Sequence, residues 1–134
     1  MDIIEIRTRA KEEFVDLTAE VGRVVAASGV ASGVCVVAVP HTTAGVTVNE
    51  NADPNVRADL LMTLRRIVPD TLPYAHAEGN SPAHVKAALV GSSATLIVEG
   101  GRLQLGTWQG VFFCEFDGPR PRKVWVQIVG KLRK

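Results

Sequence analysis

The stretch that organises this sequence is Val34-Cys35-Val36-Val37-Ala38-Val39, an uninterrupted apolar run that Pro40 ends. The run is too short for a helix and is rich in β-branched residues, so it predicts a short strand buried on both faces. We therefore place it at the centre of the predicted sheet.

Upstream of this run, the sequence predicts a strand, its partner and a helix. Residues 3–9 alternate, with Ile4, Ile6 and Thr8 on one side and Glu5, Arg7 and Arg9 on the other, which is the period of a strand with one wet face. Phe14-Val15 is a second apolar patch and is the expected hairpin partner of that strand. A helix is predicted between an N-cap at Thr18 and a stop at Gly29, because valines recur there at helical spacing.

Downstream, helices and strands are partly segregated along the chain. Asp53-Pro54 and Ser81-Pro82 predict two helix starts, since a capping side chain precedes a proline at the first helical position. The remaining predicted strands are Gly45 to Asn49, Ala94 to Glu99, Val111 to Phe116 and Lys123 to Val129. This order predicts one α+β domain over residues 1–134, with a large mixed or antiparallel, sandwich-like sheet covered by about three helices.

Composition excludes several classes of function. The 15 Lys and Arg nearly balance the 14 Asp and Glu, so nothing draws the chain generally to nucleic acid or to a membrane. We expect the basic stretches 120–123 and 131–134 to be a solvated rim and tail. No apolar run reaches 18 residues, and the N-terminus lacks the pattern of a signal peptide.

The two cysteines indicate the compartment. Cys35 and Cys114 each lie inside an apolar run, and neither belongs to a CxxC pair. We interpret them as buried free thiols in a reducing cytoplasm, with a disulfide or a catalytic thiol as the alternatives. A cytoplasmic protein without a nucleic-acid or membrane partner is therefore expected.

The unusual polar residues collect at strand ends and helix starts, where backbone amides are available for function. All three histidines, His41, His76 and His84, fall in such segments. If Ser81 caps its helix, His84 lies in the first turn, where the helix dipole favours a neutral imidazole able to bind a metal or pass a proton. The alternative is that His84 caps its own helix at the surface.

These residue types suit a metal or a phosphate. The histidines with Glu50, Asp53, Glu78 or Glu115 would be enough ligands for a zinc-like or mixed nitrogen and oxygen site, although no HxxxH or HExxH spacing occurs. The groups suited to donate hydrogen bonds to a bound phosphate are the two helix N-termini, Thr42, Thr43 and Arg102. No Walker A or GxGxxG pattern is present, which argues against a nucleoside triphosphatase or a dinucleotide enzyme.

Trp108 lies between two glycines, Gly106 and Gly110. One interpretation is a glycine-rich hairpin with a buried tryptophan. The other is a loop whose backbone approaches a flat ligand, with Trp108 as the stacking surface.

Six motifs in this order are Pro40-His41-Thr42-Thr43-Ala44, Asn49-Glu50-Asn51-Ala52-Asp53, Glu78-Gly79-Asn80, Ala83-His84-Val85-Lys86, Gly101-Arg102-Leu103 and Leu105-Gly106-Thr107-Trp108-Gln109-Gly110. Together they resemble the YjbQ family over almost the whole chain. The resemblance implies an α+β domain in a cytoplasmic homotrimer. It also implies, for some members, a secondary thiamine-phosphate synthase activity, which joins hydroxymethylpyrimidine diphosphate to thiazole phosphate with loss of diphosphate.

The resemblance further implies a shared polar pocket that takes a small phosphorylated metabolite, either within one subunit or between two. The residues assigned to catalysis are His41, Glu50, Asp53 and His84. Those assigned to substrate or phosphate binding are Thr42, Thr43, Asn80, Arg102, Thr107, Trp108 and Gln109. A divalent metal, Mg²⁺ or Zn²⁺, is expected on His76, His84, Glu78 and Glu115.

Two other functions use the same residues. One is a trimeric protein that binds a metal or a phosphorylated metabolite without turnover, which predicts a ligand-dependent rise in melting temperature. The other is a hydrolase with a metal-bound water, which predicts phosphate release from simple esters that a chelator abolishes.

Overall fold

Two antiparallel sheets stacked face to face form the body of the protein, in a computed structural model that describes residues 1–134. The elements in chain order are β1 (Asp2–Arg7), β2 (Glu13–Asp16), α1 (Thr18–Ser28), β3 (Val30–Ala38), β4 (Ala44–Glu50), α2 (Pro54–Ile67), α3 (Ser81–Val90), β5 (Ser93–Glu99), β6 (Arg102–Gln104), β7 (Gln109–Glu115) and β8 (Pro121–Leu132). Sheet A has the strand order β1-β8-β3-β5-β6, and sheet B has the order β2-β7-β4. The predicted α+β class with three helices is confirmed.

The main core lies between the two sheets. From sheet A, Cys35 and Val37 of β3 and Val124 of β8 point into it and are fully buried. Val21 and Val25 of α1 are buried in the same core, because the valine spacing puts both on one side of that helix. This core stabilises the central position of β3 between β8 and β5.

The central strand is buried on one face only, whereas the run from Val34 to Val39 was predicted to be buried on both faces. Val34, on the opposite face from Cys35, is 39% exposed. No helix of this chain covers the outer face of sheet A, so the side chains of β3 alternate between core and surface as in a one-sided antiparallel sheet.

A second, smaller core joins sheet B to α2 and α3. Phe14, Phe112 and Phe116 are buried there against Ala83 and Ala87 of α3. Leucines of α2 pack onto the same cluster. Helices α2 and α3 therefore form a third layer, which places the start of α3 beside the loops at one end of the sandwich.

The second strand was assigned to the wrong partner. β2 pairs with β7 in sheet B, placing Phe14 opposite Cys114, whereas β1 pairs with β8 and forms one edge of sheet A. The pairing in sheet B buries Phe14 against Phe112, with ring centroids 6.2 Å apart, and a local hairpin with β1 would not provide that contact.

Two helix starts and one short strand refine the sequence prediction. Asp53 caps α2 as predicted, since its Oδ1 accepts the N–H of Asn55 at 2.9 Å. The N-cap of α3 is Asn80 rather than Ser81, which is itself helical. β6, too short to leave a periodic signal, follows the Gly100-Gly101 turn, where both glycines have positive φ.

Both cysteines are free and buried, as predicted. Burial raises the pKa of Cys35 to about 11 and raises that of Cys114 further, so both thiols are neutral at pH 7. No helix in the structure has the length and apolar character needed to cross a bilayer.

Candidate functional site

All three histidines line one open polar cavity of about 660 Å³, at the end of the sandwich where β4 begins. Seven of the predicted site residues border it: His41, Thr42, Thr43, His76, Glu78, Asn80 and His84. We call this the histidine cavity. The sequence placed these residues in separate segments, after a strand, before a helix and in that helix's first turn, and the fold brings the segments together.

The turn before α3 positions two of the histidines. His84 is on the first turn of α3, and its ring meets that of His76 edge to face with centroids 5.3 Å apart. Gly79, at φ 76°, lets the chain reverse between them. The Oε2 of Glu78 lies 3.9 Å from the Nε2 of His76, and both side chains are solvent-accessible.

His41 is held by the sheet rather than by the helices. Its Nε2 accepts the backbone N–H of Lys123 at 2.9 Å. Burial lowers the pKa of the imidazole below its usual value, and the positive charge of Arg122 lowers it further. The ring is therefore neutral at pH 7.

Glu115, predicted as a metal ligand, has a different role. Its carboxylate is fully buried and accepts hydrogen bonds from Thr8 at 2.7 Å, from the guanidinium of Arg122 at 2.9 Å and from the backbone N–H groups of Phe116 and Asp117. Burial alone would raise the pKa of this carboxyl, but hydrogen bonds from Arg122 and Thr8 hold it below its usual value. The occupied carboxylate anchors the fold and is not free for a metal.

Arg122 was wrongly placed in a solvated rim. Its side chain is only 3% exposed, and its Nη2 donates to Thr43 Oγ1 at 2.9 Å as well as to Glu115. A period-two signal was present in the sequence, because Arg122 falls on the same face of β8 as the buried Val124 and Val126.

A second group of predicted residues lies at the opposite end of β4. Glu50 pairs with Gln109, and the N–H of Asn51 donates to the carbonyl of Trp108 at 2.9 Å. The members of this group are Glu50, Asp53, Thr107, Trp108 and Gln109. The seven residues of β4 span about 20 Å, so within one chain the group does not reach the histidine cavity.

Trp108 and Arg102 are both exposed. Trp108 is 63% accessible, so the interpretation as a buried tryptophan is wrong. Arg102 lies on β6, at the free edge of sheet A. Neither residue borders the histidine cavity.

The ligands for a metal are incomplete within one chain. No three His, Cys, Asp or Glu side chains are arranged so that they could hold an ion together. His76, His84 and Glu78 approach each other most closely, while Glu115 is buried and the Nε2 of His41 is occupied. The chain therefore offers no preformed metal site, and a divalent cofactor stays a prediction.

A second cavity of about 230 Å³ adjoins the first, and sequence reasoning missed it. Lys86, whose side chain is 5% exposed, donates to Glu12 at 2.6 Å, and Arg65 donates to the same carboxylate at 2.7 Å. Asn80 borders both cavities; its Nδ2 donates to Asp117, and its buried Oδ1 has no partner. The only sequence signal was a lysine among the apolar residues of α3.

These features define a class: a single-domain α+β sandwich with one open, histidine-lined polar cavity between the sheet ends and the start of a helix. The chain belongs to the YjbQ family, since the family model described as UPF0047 protein YjbQ-like matches residues 2–131.

Curated relatives match nearly the whole chain. The UPF0047 protein MJ1081 of Methanocaldococcus jannaschii is 49% identical over 126 residues, covering 94% of this chain and 91% of that protein. The UPF0047 protein YugU of Bacillus subtilis is 46% identical over 128 residues, covering 95% of this chain and 97% of that protein.

Solved structures share the fold. An uncharacterised YjbQ/UPF0047 protein from Clostridium acetobutylicum superposes with a TM-score of 0.95 at 51% identity, covering 96% of this chain and all of that one. A protein from Sulfolobus solfataricus, described as being of unknown function, gives a TM-score of 0.93 at 32% identity, covering 97% and 96%.

Proposed function

We propose that the histidine cavity binds a small phosphorylated metabolite and catalyses a transfer of the thiamine-phosphate synthase type. The observation that supports this most is the convergence of all three histidines, from three separate segments, on one cavity open to solvent. A cavity of about 660 Å³ is in the size range of small-molecule sites.

The walls of the cavity suit an anionic ligand. Threonine hydroxyls, imidazole N–H groups and the amide of Asn80 can donate hydrogen bonds to phosphate oxygens. The α3 N-terminus adds the positive end of a helix dipole beside Asn80. The carboxylates Glu78 and Asp117 also border the cavity, and Asp117 is neutralised by Arg120 at 3.0 Å.

The proposed reaction breaks one bond and forms one. The bond between the methylene carbon of the pyrimidine and its diphosphate oxygen breaks, and the diphosphate leaves with the electron pair. The lone pair of the thiazole nitrogen then forms the new carbon–nitrogen bond. The nucleophile has no proton to lose, so the cavity needs donors to the departing diphosphate more than it needs a general base.

A divalent cation would supply charge neutralisation of the diphosphate. His76, His84 and Glu78 are the side chains nearest to forming a site for it, and they do not complete one within the chain. The proposal therefore assigns binding of the leaving group to the donors of the cavity itself.

The proposal includes a homotrimer, located in the cytoplasm. The outer face of sheet A exposes Ile3, Val34, Ile97, Trp125 and Val129, an apolar surface of the kind that subunit contacts cover. A neighbouring copy would also offer a route by which the Trp108 group of one chain could approach the histidine cavity of another.

The test is to incubate the purified protein with hydroxymethylpyrimidine diphosphate, thiazole phosphate and Mg²⁺, and to measure thiamine phosphate. The wild type and an Arg23→Ala control, changed on the exposed surface of α1, should form product, and His84→Ala should not. Equal product from wild type and His84→Ala would remove the proposal.

A binding protein without turnover is the second candidate. No three suitable side chains of the chain are arranged to bind a metal ion. This favours a binding protein over a hydrolase, because a metal-bound water requires a bound metal. It predicts that inorganic diphosphate raises the melting temperature of the wild type, while no thiamine phosphate forms.

A further inference from the structure

The end of strand β3 leaves one backbone donor of β8 without a strand partner. The register that pairs Ala38 with Trp125 would continue to Pro40 opposite Lys123. Proline ends the strand, and the ladder stops there. The N–H of Lys123 then donates to the Nε2 of His41, so the imidazole takes the place of the missing strand acceptor.

This hydrogen bond determines the position of the proton on the ring. A backbone N–H only donates, so the Nε2 of His41 must carry a lone pair. In a neutral imidazole the proton is then on Nδ1. A rotation of the ring by half a turn would place a carbon against the N–H and leave the amide unpaired, which disfavours the alternative.

We infer that His41 is held as its Nδ1–H tautomer by the backbone of Lys123 and acts as a neutral hydrogen-bond donor to an oxyanion in the histidine cavity. The ring borders that cavity, and its Nδ1 makes no hydrogen bond within the chain. The choice of an oxyanion rests on the proposed function. The tautomer rests on geometry alone. His41 is thereby a donor, not a metal ligand or a general base.

The Glu115–Arg122 pair acts as the positioning device. Arg122 directly precedes Lys123, the donor to His41, and its guanidinium also holds Oγ1 of Thr43, two residues after His41. The Glu115 carboxylate fixes that guanidinium from the buried side. One buried ion pair thus anchors both the donor strand and the loop that carries the imidazole.

The charged surroundings of His41 are mixed. The charges that act on the ring are those of Arg122, Glu115 and Arg120. His41 also borders a further cavity, on the side of β1, which Glu5, Arg7 and Lys123 line. Burial contributes most to the lowered pKa of the ring, which is consistent with a neutral donor at pH 7.

The test is a long-range ¹H–¹⁵N correlation spectrum of the ¹⁵N-labelled protein at neutral pH, with the His41 signals assigned by their loss in His41→Ala. The expected pattern is a protonated Nδ1 and an unprotonated Nε2. An Nε2–H tautomer or a protonated imidazolium would overturn the inference. His76 and His84, which accept no backbone N–H, are the internal comparison.

The ligand role is tested with inorganic diphosphate. Its addition should shift the His41 Nδ1 signal, and His41→Ala should bind it about tenfold more weakly or worse, the loss typical of one hydrogen bond to a charged group. Unchanged affinity would overturn the donor role. If the tautomer and the diphosphate response are found without thiamine phosphate formation, the proposed transferase fails and this inference stands.

The positioning role is tested with Glu115→Gln, against Glu99→Gln at an exposed carboxylate. Glu115→Gln should mix the His41 tautomers and weaken diphosphate binding, and Glu99→Gln should do neither. If Glu115→Gln does not fold, Thr43→Val removes the hydroxyl that Arg122 binds, and Thr43→Ser restores it. A His41 spectrum unaffected by the Thr43→Val change would overturn the positioning role.

Discussion

The rings of His76 and His84 lie edge to face with centroids 5.3 Å apart, one in the turn before α3 and the other in its first turn. The turn that carries His76 and the first turn of α3 hold the two rings together, so the residues need no ligand to approach each other. Both imidazoles border the histidine cavity side by side.

His76→Ala and His84→Ala should therefore each weaken the binding of inorganic diphosphate, because each removes a donor from the same wall. Titration calorimetry measures the change, and the Arg23→Ala protein is the control with unchanged affinity. Full affinity in both histidine variants would show that the cavity binds anions by other groups.

Removing the buried carboxylate of Glu115 should strongly destabilise the fold. Glu115→Ala leaves the guanidinium of Arg122 buried without its partner, a change that typically costs about 3–5 kcal/mol. Urea unfolding measures the loss. Glu99→Ala, at an exposed carboxylate, should change the free energy of unfolding by less than about 0.5 kcal/mol; similar losses in the two variants would contradict the buried pair.

Acid should unfold the protein partly through the same group. The pKa of Glu115 in the folded chain is held below its ordinary value of 4.5, so the unfolded chain binds a proton first as the pH falls. The ionised Glu115 contributes its full share to the free energy of unfolding above pH 4.5, and this contribution is lost as the pH falls through the pKa of Glu115 in the folded chain. The free energy of unfolding of Glu115→Gln, followed by urea titration, should fall less steeply below pH 4.5 than that of wild type, and parallel curves would refute the assignment.

Gly33 and Gly130 are directly opposite each other in the pairing of β3 with β8. A Cβ on Gly33 would lie 2.0 Å from the carbonyl oxygen of Val129, so Gly33→Ala should force the strands apart and destabilise by about 1–3 kcal/mol. Gly22, in α1 with open space around it, is the matched site, and Gly22→Ala should stabilise by up to about 1 kcal/mol. Thermal unfolding measures both variants: the melting temperature should fall for Gly33→Ala and rise for Gly22→Ala.

The oligomeric state should depend on the outer face of sheet A. Val34→Glu puts a charge at the centre of that apolar surface, so light scattering should show the mass fall from three times that of the 14.4 kDa chain to that of a single chain. Ile67→Glu, at an apolar and more exposed position on α2, should leave the mass unchanged. A monomeric wild type would refute the trimer.

Local patterns predicted most of the elements. The Asp53-Pro54 start of α2 and the Gly29 end of α1 were recognised because caps and turn residues act over a few neighbouring positions. The run from Val34 to Val39 was recognised as a strand for the same reason, since β-branching is a property of the stretch itself, although β3 begins earlier, at Val30, and ends at Ala38.

The sequence predicted contacts between distant segments less well than it predicted local elements. The partner predicted for β2 was wrong because the contact between Phe14 and Phe112 joins segments almost a hundred residues apart. Arg122 was misplaced for a related reason: a charged residue is buried only when a partner such as Glu115 meets it, and that partner comes from another strand.

The sequence by itself determined that the chain is an α+β domain and that its histidines lie at strand ends and helix starts, because these features depend on neighbouring residues. Only the tertiary structure decided which of those segments share a cavity. It joined His41 to His76 and His84, and it left Glu50 and Trp108 at the far end of β4. The physical reason is that packing two sheets and a helical layer sets distances that no local pattern encodes.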